Sequence, residues 1–136
     1  MRYLGIDYGT KRVGLALSDE AGAMGFPHST LTNNGRLIDE VLELIARKEV
    51  GEVVIGESRG FDGNPNPVAK AAKEFGALLE RRMDIPVHFE PETLTTQEAR
   101  RNFEGVREPG SGSMHVDASA AALILTSFLD RNRHAS

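Results

Sequence analysis

The sequence predicts an α/β fold: a five-stranded mixed sheet, an antiparallel meander followed by parallel strands, with helices on both faces. Three observations predict it. Residues 3–18 hold two short apolar stretches on either side of Gly9-Thr10-Lys11, the pattern of a hairpin. The run Glu52-Val-Val-Ile-Gly56 is apolar and bounded by glycine, as interior parallel strands are. Beyond residue 36, such runs alternate with apolar residues at helical spacing, the order of βαβα units.

Tyr3–Asp7 reads as the first strand, with Leu4 and Ile6 facing one way and Gly5 and Asp7 the other. In the second, Val13, Leu15 and Leu17 alternate with small residues, so Gly14, Ala16 and Ser18 share the face of Asp7. Ala23–Leu31 completes the meander, and Pro27 places it near an edge. Asn34-Gly35 caps a helix carrying Leu37, Ile38, Val41, Leu42 and Ile45, which Gly51 closes. A turn-rich loop follows from Glu57 to Pro67, of a length more often functional than decorative. Asn66 and Pro67 start a second helix, with Val68, Ala71, Ala72, Phe75, Leu78, Leu79 and Met83 as its apolar stripe. Pro86–Glu90 is the last strand, and Thr95 with Glu98 forms a capping box for a short helix. Residues 104–115 are rich in Gly and Ser. The final helix spans Asp117–Asp130 and buries Ala121, Ile124, Leu125, Phe128 and Leu129. No repeat or boundary divides residues 1–136, so one domain is expected, with 131–136 a disordered tail.

The chain has 136 residues, enough for one core of useful size. With 40% hydrophobic and 26% charged residues it is not a disordered chain. The absence of Cys excludes a disulfide framework and a Cys-ligated zinc site. A net charge of −4 leaves any nucleic-acid binding to a local basic patch. Met1-Arg2 runs straight into the first strand without a signal peptide, and no long apolar run follows; the expected location is the cytoplasm, with no membrane partner.

Three acids carry the chemistry. Asp is a poor strand residue, so Asp7 is either a ligand in the space that its small neighbours leave or an Asp that starts the turn and bonds the Gly9 or Thr10 amide. Asp117 falls in the first turn of the final helix, on the stripe of Ala120, Ala121, Ile124 and Phe128. A core-facing acid needs a partner, and a cation shared with Asp7 would supply it; the other reading is a helix cap. Glu92 lies just past the last strand, where the carboxyl ends of parallel strands gather on one edge. It is otherwise a solvated loop acid, and Glu90 competes with it, because the two share a face if the strand continues. Three carboxylates around one point suit Mg²⁺ or Mn²⁺.

The stretch Asp7–Asp19, Asp-Tyr-Gly-Thr-Lys-Arg-Val-Gly-Leu-Ala-Leu-Ser-Asp, closely resembles the opening of the YqgF/RuvX family of pre-16S rRNA nucleases and Holliday junction resolvase-like proteins. The likeness continues through residues 53–56, the Asp62-Gly63 loop, Pro-Glu-Thr-Leu-Thr-Thr-Gln-Glu-Ala at 91–99 and Val-Asp-Ala-Ser-Ala-Ala-Ala-Leu-Ile-Leu at 116–125. It implies a ribonuclease H-like fold and metal-dependent cleavage of nucleic acid, in particular 5′-end maturation of the small-subunit rRNA precursor. By motif it assigns Asp7, Glu92 and Asp117 as catalytic metal ligands. Pro91 and Thr93 stand where the family motif has Asp and Arg, and Gly-Ser-Gly-Ser-Met-His replaces a basic segment before Asp117; both changes bear on substrate grip.

Lys11 and Arg12 on the hairpin turn, Arg59 in the long loop, and Arg100, Arg101 and Arg107 form a candidate phosphate-binding rim, with Tyr8 and Phe61 as stacking platforms. The expected partner is structured RNA or branched DNA. A junction resolvase needs a symmetric homodimer to cut two strands, and no dimer face is marked in the sequence. The competing functions are a Holliday junction endonuclease and a non-catalytic nucleic-acid or protein-binding factor with a reduced site. The opening also looks like the phosphate loop of actin-like sugar kinases and chaperone ATPases, but those clamp ATP between two such halves.

Overall fold

A computed structural model describes residues 1–57, 67–91 and 112–135. In chain order the elements are β1 (Arg2–Tyr8), β2 (Arg12–Ser18), β3 (Gly25–Thr32), α1 (Leu37–Arg47), β4 (Val50–Glu57), α2 (Pro67–Met83), β5 (Val87–Pro91) and α3 (Gly112–Ala135). They form one sheet in the order β3-β2-β1-β4-β5. The β1–β2 and β2–β3 pairs are antiparallel, and β1–β4 and β4–β5 are parallel.

The two faces of the sheet are packed by different means. On one, Leu4, Ile6, Val13, Leu15, Val53 and Ile55 meet Leu37, Val41, Leu44 and Ile45 of α1 and Ala72, Phe75 and Leu79 of α2. The Val, Leu, Ile and Phe side chains fill the layer, each contributing about 1.5–3 kcal/mol when fully buried. On the other face Ala16 and Val54 meet Ala121, Ala122, Ile124, Leu125, Phe128 and Leu129 of α3. The sheet residues beneath the helix include Gly5, Gly14, Gly25 and Gly56, which bring it close. A Cβ on Gly5 would lie 2.8 Å from Leu125 Cβ and 2.9 Å from the Ala121 carbonyl oxygen. The alternation read from β1 therefore holds: Leu4 and Ile6 face α1 and α2, while Gly5 and Asp7 face α3.

Several boundaries differ from expectation. Gly51 does not close α1 but lies inside β4. The reversal falls at Glu49, which holds a left-handed backbone at φ 54°, a conformation that a sequence reading assigns to glycine. Asn34 caps α1 from outside: its Oδ1 accepts the Arg36 amide at 2.9 Å, and Arg36 occupies the cap position. The last helix starts at Gly112, so Asp117 sits in its second turn and is not a cap. Gly and Ser disfavour helix, but a start at Gly112 gives the amides of residues 116 and 117 carbonyl partners within the helix. The helix also continues to Ala135, and Arg131, expected in a disordered tail, reaches back to β5. No helix among the described residues is long and apolar enough to cross a membrane.

Candidate functional site

Asp7 lies near the carboxyl end of β1 with 7% of its surface exposed. Its register partner on β2 is Gly14. The main chain of α3 rests on that glycine, where a Cβ would overlap the Asp117 carbonyl and crowd the Ala118 amide. So a missing side chain on β2 lets α3 approach, and Asp7 and Asp117, 110 residues apart in sequence, come to the same face and the same end of the sheet.

Asp117 does not present a bare carboxylate. Arg12, on the same face of β2 two residues before Gly14, donates from Nε to Asp117 Oδ2 at 2.7 Å. The Asp117 side chain is 19% exposed and that of Arg12 44%. Arg12 was expected to hold phosphate; its observed partner is the acid. Lys11 is exposed on the turn beside it, and its carbonyl accepts the Asn33 amide at 2.9 Å. Asn33 also donates from Nδ2 to the Gly9 carbonyl at 2.8 Å, bracing the turn from the end of β3. Nothing in the local pattern marks Asn33, because its two partners lie more than twenty residues earlier.

Tyr8 is not a stacking platform for bases on this face. It alternates with Asp7, so it points to the α1/α2 side and packs on Phe75 with ring centroids 5.3 Å apart.

Glu90 occupies the same row of the sheet as Asp7, with Gly56 between them: Gly56 pairs with Glu90, and Ile55 with Ile6 one step earlier. It is 2% exposed. Its Oε1 accepts Arg131 Nη2 at 2.5 Å, while Oε2 has no hydrogen-bond partner among the described residues. Burial pushes this carboxyl above its usual range, and the Arg131 charge pulls it back only in part. Glu90 thus ties β5 to the end of α3 remote from Asp117. One row below, His88 Nε2 lies 2.8 Å from Glu52 Oε1, the Tyr3 hydroxyl also bonds Glu52, and Phe128 packs over the His88 ring at 4.9 Å. Burial, and then the bond to Glu52, raise the Tyr3 pKa.

Glu92, Arg59, Arg100, Arg101, Arg107, Phe61 and Asp62 lie outside the described residues. Among the described residues, no three His, Asp or Glu side chains gather into a metal-holding group. What is assembled is a pair of carboxylates, Asp7 and Asp117, on a face cleared by Gly14. All-oxygen donors of this kind fit a hard divalent cation that takes its remaining ligands from elsewhere.

A mixed β3-β2-β1-β4-β5 sheet with helices packed on both faces is a ribonuclease H-like fold. The fold is shared with a solved structure described as T. thermophilus RuvC in complex with Holliday junction substrate, at a TM-score of 0.63 and 20% identity, covering 98% of this chain and 96% of that one. The chain belongs to the RuvX family: the family model described as RuvX, Holliday junction resolvase, matches residues 1–131. A protein of Maridesulfovibrio salexigens is 36% identical over 96% of this chain and 99% of its own length. One of Lachnospira eligens is 38% identical over 96% and 97%. Both carry the name "Putative pre-16S rRNA nuclease".

Proposed function

We propose that this chain is a cytoplasmic nuclease that hydrolyses a phosphodiester bond in the precursor of 16S rRNA, trimming its 5′ end. The observation that carries this reading is the convergence of Asp7 and Asp117 on one face, with Gly14 as the seat. The names of the full-length relatives support the RNA substrate.

Asp7, Asp117 and Glu92 would hold Mg²⁺ or Mn²⁺. When bound, such an ion supplies activation of water and charge stabilisation of the leaving oxygen. The chain's own contribution is placement. β1 is an interior strand between β2 and β4, so the Asp7 carboxylate stands on a backbone bonded on both sides. Gly14 fixes the height of Asp117 above the sheet. Lys11 and Arg12 bring positive charge to the same end, where a phosphate backbone would lie.

The test is cleavage of an RNA carrying the 5′ extension of the 16S precursor, with a four-way DNA junction as competitor, in Mn²⁺ or Mg²⁺. Cutting of the RNA that Asp7→Asn abolishes supports the reading. Preference for the junction, with symmetric cuts by a homodimer, would move the assignment to resolvase. Full activity of the Asp7→Asn variant would sink the metal-site reading.

A further inference from the structure

We propose that Arg12 is the resident counter-charge of Asp117, which an arriving divalent cation displaces, and that the released guanidinium then grips the phosphodiester. This rests on the metal reading of Asp7 and Asp117 above.

The geometry determines which partner moves. The Asp117 backbone is seated on Gly14 and is held within a helix whose next turns pack on Gly5 and Ala16. It cannot withdraw from β2 without unseating α3. The backbone of Arg12 is equally fixed, paired with Thr32 in the sheet and preceded by the Lys11–Asn33 bond. Among the described residues, the part of the pair that can swing is the long Arg12 side chain, the more exposed of the two. A guanidinium and a divalent ion on one carboxylate repel each other, so the two compete for Asp117. Once released, the same fork of donors matches a phosphate. Arg12 thus acts on the ion through Asp117 as a positioning residue and links loading of the site to substrate grip.

Competition has a signature that a merely structural role lacks: removing the charge tightens ion binding and weakens nucleic-acid binding. The experiment uses the full chain and Mn²⁺ alone, titrated by calorimetry without nucleic acid. Arg12→Met is expected to bind Mn²⁺ about tenfold more tightly than the native chain, and Arg12→Lys, which keeps the charge, within about twofold of it. The affinity of the Mn²⁺-loaded chain for a non-cleavable phosphorothioate RNA is expected to fall about tenfold in Arg12→Met. Unchanged or weaker Mn²⁺ binding by Arg12→Met overturns the proposal, as does unchanged RNA affinity. If Arg12→Met fails to fold, Arg12→Gln is read by the same criteria. Asp7→Asn separates the two failures. Native Mn²⁺ affinity in that variant overturns the metal reading and this proposal with it; lost affinity there, with no gain in Arg12→Met, overturns this proposal alone.

Discussion

Gly14 pairs with Asp7 across the first hairpin and carries the main chain of Asp117 on the same face. Because the contact is with backbone, no rotamer change can relieve a side chain placed there. The spacing between the two acids is therefore set by a residue that takes no part in chemistry.

Gly14→Ala is expected to lift the start of α3 off β2, at a cost of about 1–3 kcal/mol from overpacking. Cleavage should fall by more than the loss of stability explains, since Asp117 moves with the helix. Urea unfolding and activity measured on the same preparation check this; native values for both would show that the seat is not tight.

Mn²⁺ should stabilise the native chain and not Asp7→Asn. At a free ion concentration a hundred times the dissociation constant, the gain is about 2.7 kcal/mol. A thermal melt with and without Mn²⁺ reads it directly. Equal shifts in both proteins would place the ion elsewhere.

Glu90 makes stability depend on pH in a direction opposite to that of a well-paired acid. Its folded pKa is raised above the ordinary 4.5, chiefly by burial. The folded state therefore holds this proton more tightly than the unfolded chain does. The contribution is fully present below the unfolded value and is lost as pH rises through the folded one. Glu90→Gln does not titrate, so it should gain on the native chain in urea midpoints as pH rises above the ordinary 4.5. A difference that stays flat or moves the other way would mean that the Arg131 bond outweighs burial.

Glu52 joins β1 to β5 through Tyr3 and His88. A double-mutant cycle with Glu52→Gln and His88→Ala should give a coupling of about 0.5–1.5 kcal/mol, small because both side chains are partly wet. Additive losses would show that the 2.8 Å contact adds nothing to stability.

Much of the architecture was legible in the chain itself. Alternation in residues 3–18 placed Asp7 with Gly14, Ala16 and Ser18, because strand side chains repeat every two residues whatever lies above them. Helical spacing located α1, α2 and the core of α3 for the same local reason. Where boundaries slipped, a local rule had met a tertiary one. Glu49 adopted the backbone that glycine prefers, and Gly-Ser residues joined a helix whose position is set by packing farther along.

The candidate site divides along the same line. Residue type and motif singled out Asp7 and Asp117, but local pattern could not pair Arg12 with Asp117, bury Glu90 against Arg131 or brace the first turn with Asn33. Those partners lie 105, 41 and 24 residues apart. Periodicity reports which way a side chain points; only the closed fold decides what it meets there, because that depends on how near glycines allow one layer to approach the next.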